Sequence, residues 1–561
     1  MTFKHWLKSG SPWIWLNAGA ITISMIMVVG LLTLIAVRGF GHFWPSPIIE
    51  TTLTDADGES ITIIGEVTRS QTVAADVLRD AGLEVPENLL LVNRYLIKQG
   101  NRDVWGRDFV WYSEIGMGEW DYPRDVMRLE RREWGDFYGY AVRLLANGTV
   151  VSEAVDEGFW AELQARIQRS NDLFDEIRGI ERGAIGSINN ALERVRLGER
   201  RLELNREAGR IDQAEYERRM ADFAVQRQRL DEDYAVLQAQ LDQLYVDVRR
   251  DTLVAAVADG REVEIAVGQI IRAVQPNAMV LSDKLGFYVD TLWDFFSGFP
   301  REANTEGGIF PAIFGTVAMV LIMSIIVTPF GVLAAIYLRE YARQGPLLRI
   351  IRISVYNLAG VPSIVFGVFG LGFFIYFIGG AIDQQFFPAA LPAPTFGTPG
   401  LMWASFTLAL LTLPVVIVAT EEGLSRIPST IRQGSLALGA TKSETLWKVV
   451  VPLATPAMMT GLILAIARAA GEVAPLMLVG VVKLAPTLPI DGNFPFIHLE
   501  RKIMHLGFHI YDVGFQSPNA EAAQPLVYAT ALTLVLIIIT LNLSAISIRN
   551  HLREKYRSAS D

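Results

Sequence analysis

No cysteine occurs in the 561 residues, so the chain has neither disulfides nor thiolate metal sites. It also lacks a G-x-x-x-x-G-K-[ST] loop, so it carries no phosphate cradle of that kind for hydrolysing ATP. Excess positive charge is missing too. The formal net charge of −10 argues against nucleic acid as a partner. The first apolar run, residues 13–37, holds no charge over 25 residues. That is longer than the core of a signal peptide, and no small-residue cleavage site follows it. What the chain does have is 51% hydrophobic residues beside 20% charged ones. The first figure is too high for a soluble protein and the second too high for an all-membrane one. A membrane bundle carrying a sizeable polar domain satisfies both.

Residues 13–37 read as a first transmembrane helix, with Lys4 and Lys8 before it holding the N-terminus inside. Five further apolar runs follow, at 309–338, 355–378, 401–420, 456–482 and 525–548. Arg339, Arg343, Arg349 and Arg352 follow the second run. Arg426, Arg432, Lys442 and Lys448 follow the fourth, and Arg549, Arg553, Lys555 and Arg557 the sixth, whereas loop 381–400 has no Lys or Arg. That asymmetry predicts a multi-pass protein of a bacterial inner membrane with both termini cytoplasmic and residues 40–299 outside.

Residues 40–299 predict an α+β domain. Hairpins are expected around Asp57-Gly58, Asn147-Gly148 and Asp259-Gly260. Between them apolar residues recur at spacings of three and four from Trp160 to Val195 and again from Tyr216 to Val248. Ser170, Glu181 and Arg227 interrupt the stripes. The period predicts a long antiparallel coiled-coil hairpin at 160–250, turning near Gly209, with arms of roughly 50–65 Å. Narrow stripes and great length predict that it stands away from the bundle. The aromatic segment 287–299 is expected at the membrane interface.

The most informative stretch is 425–452, SRIPSTIRQGSLALGATKSETLWKVVVP. It reads as helix, turn, helix at a membrane face. Pro428 and Ser429 are expected to open the first helix, with Ser429 as a cap. Gly439 sits where a left-handed residue ends it. Thr441 and Glu444 make a T-x-x-E capping box, and the second helix is expected to stop at Pro452. The stretch resembles the EAA loop of ABC importer permeases, in which E-A-A, three residues, G and nine residues precede I-x-L-P. The spacing from Gly439 to Pro452 matches, but the triplet reads Gln433, Gly434, Ser435. The resemblance implies an ATPase-coupling role for Pro428, Gln433, Gly434, Ser435, Gly439 and Pro452. Without the glutamate, a specific salt bridge is in question and the docking geometry is not.

Four further segments, NTEGGIF (304–310), AIYLREYAR (335–343), VPSIVFG (361–367) and AIARAAGEVAPL (465–476), resemble the PstA family of phosphate ABC transporter permease subunits. The order and sides agree across 302–549. The resemblance implies a non-catalytic importer subunit: six transmembrane helices with an ABC permease-like core at 300–549, in a long form with a large periplasmic insert. It also implies a second homologous permease, an ATPase dimer holding ATP and Mg, a periplasmic phosphate-binding protein and a PhoU-like regulator. This chain itself is expected to bind membrane lipid but no cofactor. Some members carry an Arg where this chain has Val418, so any detailed anion path differs here.

Three residues are candidates for the substrate pathway. Arg468 and Glu472 are four apart inside the fifth run, where an unpaired charge costs several kcal/mol. They read either as a purely structural ion pair or as a cation on the anion path with its restraining partner. Glu306 either faces the outer mouth or caps the second span. Glu421 and Glu422 are expected to contact the coupling loop or basic residues at the cytoplasmic face, not to carry substrate. His505 and His509 have i, i+4 spacing but no further ligands, so an amphipathic interfacial segment is expected there and no metal. Two other functions remain open at this level: import of molybdate or sulfate, and a membrane-anchored coiled-coil sensor. The coupling loop and the intramembrane Arg468 argue against the sensor.

Overall fold

The computed structural model describes residues 11–54, 60–80, 82, 85–301, 304–517 and 523–557. Lys4, Lys8 and the Asp57-Gly58 turn lie outside them. Among the described residues six helices are long and apolar enough to cross a membrane: Pro12–Gly41, Phe310–Tyr341, Ser363–Phe386, Leu401–Ser425, Lys442–Ala470 and Gln524–His551. They are called here the first to sixth spans.

Two spans differ from expectation. The third begins at Ser363 because the preceding residues form a separate helix, Pro346–Leu358. Pro362 then takes an extended conformation, as a residue without an N–H readily does at a helix start. The fifth span is displaced towards the coupling loop. Pro452 does not stop the helix. It follows a π turn, Leu446–Val450, and lies in the first turn of the α-helix Val451–Ala470. The wider π turn accommodates a proline that has no N–H to give, so the coupling helix and the fifth span form one rod.

The fourth span is the most enclosed. It packs against the second and fifth, and Met319, Met323, Leu408, Val416, Ala465 and Ala469 form the membrane core. The stretch 503–511 closes the bundle at the end nearer the polar domain. The Leu506 N–H donates to Thr316 Oγ1 at 3.0 Å. Gly315 lies so close to this stretch that a Cβ there would come within 2.1 Å of the Met504 carbonyl oxygen.

The polar domain contains two antiparallel sheets. Four strands, Ile48–Thr54, Ser60–Ala74, Leu91–Lys98 and Phe109–Ser113, pair in sequence order. In the second sheet Ile270–Val274, Met127–Arg131, Phe137–Ala146, Asp251–Ala256 and Glu262–Ala266 are successive neighbours, and Thr149–Glu153 pairs with Phe137–Ala146. The turns at Asn147-Gly148 and Asp259-Gly260 join paired strands. Leu163 and Ile167 of the helix Phe159–Gly179 cover the second sheet. Phe43 and Phe295 seat the domain on Ile309, Ala312, Met504 and Leu526 of the permease.

The long helices form a hairpin. Phe159–Gly179 passes through a π segment, Ile180–Ile185, into Gly186–Glu207, and Gln213–Val248 returns. Gly209 takes positive φ in the turn, and Asp212 caps the returning helix by accepting from the Glu215 N–H. Arg206 over Tyr216, Glu199 to Arg227 and Glu181 to Tyr245 fix the antiparallel register. The hairpin does not stand clear of the bundle. The helix Gly186–Glu207 lies against Pro388–Ala390, Ser187 bonds Asn493 at 3.1 Å, and Arg182 covers the Phe299 ring at 4.1 Å. The permease loop at Pro388–Ala390 supplies a contact surface that the helix stripe alone does not disclose.

Hairpin packing is tight at Gly198, where an added Cβ would lie 2.6 Å from Phe223 Cζ. Gly198→Val should therefore cost about 1–3 kcal/mol locally. Limited proteolysis should cut residues 186–248 faster than in the parent, with the membrane core melting as before. Unchanged protection would refute the close approach.

Candidate translocation path and coupling loop

The first coupling helix is Ser429–Ala437, with Pro428 at its N-cap position. Ser429 does not cap it; it is the first helical residue, and no side chain satisfies that end. Gly439 has φ +89°, a conformation that an L side chain resists. Thr441 and Glu444 form the reciprocal capping box. Ser435 Oγ and Thr445 Oγ1, 2.9 Å apart, tie the two helices together.

This turn is stapled to the second span. Arg432 pairs with Glu340 at 2.9 Å and donates to the carbonyls of Ile427 and Leu424. Lys442 Nζ donates to the Glu340 carbonyl at 2.6 Å. Glu421, at the end of the fourth span, pairs with Arg352 at 2.6 Å. Gln433 and Gly434 are exposed, and so is apolar Leu438, at 91%.

Arg468 and Glu472 are brought together, with Arg468 Nε 3.5 Å from Glu472 Oε1. The arrangement differs from one helix face. The helix ends at Ala470 and Gly471 follows as its cap, so Glu472 lies beyond it. Arg468 thus sits in the last turn, where the free carbonyls of the helix favour a cation. Its side chain is 34% exposed. Val418 is half-buried on the fourth span.

Glu306 is placed away from that pair. It lies on the short strand Glu306–Gly307, which pairs with Pro300–Arg301, so it does not cap the second span. Its neighbours belong to the charged seam of the polar domain. There Lys98 meets Asp136 at 2.6 Å, Arg128 bridges Asp136 and Glu66, and Arg301 pairs with Glu130. Glu306 Oε2 is sealed from solvent without a hydrogen-bond partner among the described residues. Burial, and then the nearby Asp136 carboxylate, push the Glu306 carboxyl up to about 7, against the opposing pull of Lys98. Glu306 is thus part of the joint between domain and permease.

His505 and His509 are buried, contrary to an interfacial segment. His505 Nδ1 accepts from the Gly507 N–H at 3.1 Å, and burial lowers both rings to about 4, which keeps them neutral. Beside them Asn304 donates to Asp512 at 3.2 Å, and Lys483 pairs with Asp512 at 3.2 Å. Their sequence separation hides this cluster from any local pattern. Among the described residues no group of three His, Asp or Glu is placed to hold a metal.

Comparison with known proteins makes the class of this bundle specific. Residues 327–558 match the model of the family "Binding-protein-dependent transport system inner membrane component". The phosphate transport system permease protein PstA of Mycobacterium leprae is 34% identical over 269 residues, covering 47% of this chain and 79% of that protein. PstA 1 of Mycobacterium tuberculosis (strain CDC 1551 / Oshkosh) is 35% identical over 245 residues, 43% and 71% of the two chains. PstA of Yersinia pestis is 33% identical over 246, 44% and 74%. An inward-facing structure of the MetNI methionine ABC transporter aligns with 43% of this chain and 94% of its own at 19% identity, with a TM-score of 0.32 that carries no argument. The chain belongs to the binding-protein-dependent inner membrane transport components, and within them to the PstA-like permeases. It is a non-catalytic, multi-pass inner-membrane subunit of an ABC importer. The polar domain lies outside the family match.

Glu306 gives the joint a pH dependence. A carboxyl raised when folded contributes stability that is fully present below its unfolded value and lost as pH rises through the folded one. The joint should therefore weaken as pH rises through about 7. Amide hydrogen exchange around 304–309 should be faster at pH 8 than at pH 6 after correction for intrinsic rates. Glu306→Gln should remove the difference. An equal difference in the variant would exclude Glu306 as its source.

Proposed function

We propose that this chain translocates inorganic phosphate across the inner membrane, driven by ATP hydrolysed on a separate ATPase dimer that holds the ATP and Mg. Arg468 attracts the anion through a planar guanidinium that can bind two phosphate oxygens. Glu472 holds Arg468 when the anion is absent, and the passing anion competes for the same donors. The observation that carries the reading is this 3.5 Å pair at the end of the fifth span, in a permease core similar to PstA.

The turn containing Pro428, Gln433, Gly434, Ser435 and Gly439 docks on the ATPase, and the rod through Pro452 carries its motion to Arg468. A second homologous permease completes the path, a periplasmic phosphate-binding protein delivers the anion, and a PhoU-like regulator acts from the cytoplasm. Both termini are cytoplasmic, and residues 40–299 are periplasmic with the hairpin as a coiled coil. Glu306 is assigned to the joint rather than to contact with the anion.

Phosphate uptake and membrane abundance of three variants test the path. Arg468→Gln should abolish uptake with assembly retained, and Glu472→Gln should slow it. Full activity in the double variant would show that the pair is only structural. Orientation has its own test, because the chain has no cysteine. Gly209→Cys should react with an impermeant thiol reagent from the periplasmic side, and reaction only after lysis would overturn the topology.

A further inference from the structure

Five residues of the fifth span, Leu453, Ala457, Thr460, Leu464 and Arg468, recur at spacings of three and four and so share one face. Leu453, Thr460 and Leu464 are exposed. The neighbouring row, Ala454, Met458, Gly461, Ala465 and Ala469, is buried. Arg468 therefore stands at the top of an open strip whose other members are apolar or hydroxylic. Thr460 is about 12 Å below it and Leu453 about 22 Å below it.

The foot of this strip opens into a cleft of about 490 Å³ at the end nearest the coupling loop. Leu453, Ala457 and Thr460 form one wall, and Arg426, Arg549 and Arg553 contribute the charge. Arg426 comes from the end of the fourth span, and the other two come from the end of the sixth. The guanidiniums are weakly engaged. Arg426 approaches Glu422 only to 3.9 Å with both side chains largely exposed, and Arg549 meets only the Asn550 amide. Among the described residues no carboxylate ion-pairs with Arg549 or Arg553.

We propose that this cleft is a second anion site, which receives a phosphate group after it leaves Arg468. The inference rests on the path reading above. Two cationic stations on one face, separated by a strip without charge, let the anion be attracted onward without being held between them. The three arginines converge from distant parts of the sequence on a cleft that meets the Arg468 strip.

The full-length chain in phosphatidylcholine nanodiscs tests this, with Thr460→Cys supplying its one thiol. An anionic sulfonatoethyl thiosulfonate should modify the introduced thiol about five-fold faster than its trimethylammonium analogue, relative to their rates on a free thiol. Inorganic phosphate should slow the anionic reagent more than chloride does at equal ionic strength. Changing Arg426, Arg549 and Arg553 together to Gln should remove both effects, and changing them together to Lys should keep the rate preference. Equal reagent rates, or no protection by phosphate, would overturn the site. Protection that requires added phosphatidylglycerol and ignores phosphate would assign the cleft to a lipid headgroup and overturn the proposal. If the cleft behaves as expected but Arg468→Gln still takes up phosphate, the path reading fails and the exit role fails with it. If Arg468→Gln abolishes uptake while the cleft shows no preference, only the second site fails.

Discussion

Backbone that leaves a helix must find other partners for its N–H and C=O groups. That constraint shapes this permease core. The chain unwinds after Ala470 and returns through 503–511 beside the second span. The return is possible because Thr316 accepts the Leu506 N–H and because Gly315 leaves no side chain before the Met504 carbonyl. The same unwinding frees Glu472 from the helix and brings it to Arg468. The candidate site thus depends on the irregular segment that follows the fifth span.

Local chemistry made much of this legible in the sequence. Six apolar runs correspond to six spans. Asn-Gly and Asp-Gly turns correspond to paired strands, and the Thr441–Glu444 box formed as read. Each depends on residues within a few positions of one another. Errors arose where a local rule met a nonlocal circumstance. Pro452 signals a stop unless a π turn precedes it, and no sequence pattern specifies that turn. His505 and His509 read as amphipathic until the surrounding spans bury them. Glu306 flanks a Gly-Gly pair in sequence, but its environment is set by Lys98, Asp136 and Glu130. The cleft arginines were counted as topology signals, since their convergence joins positions more than a hundred residues apart.

The polar domain is attached by two chemically different means. Phe43 and Phe295 bury apolar surface against the bundle, which is insensitive to pH. Across the boundary Arg301 pairs with Glu130, and Glu306 lies against the domain's own cluster of Lys98, Asp136, Arg128 and Glu66. Removing one member leaves its partners buried and unpaired, which costs more than the pair contributes. The aromatic contacts set the position of the domain, and the seam makes its attachment responsive to conditions.

The unbroken rod from Lys442 to Ala470 has a mechanical meaning. Besides Pro456 within its α-helical part, it contains a soft place at the π turn Leu446–Val450, where hydrogen-bond register is least fixed. Arg468 lies 22 residues beyond Leu446, about 33 Å along the axis. A tilt of about 5° at that turn would sweep the guanidinium sideways by roughly 3 Å over that length. This is of the order of a hydrogen-bond length, so a slight rotation at the foot of the rod is enough to exchange one set of partners for another at its head.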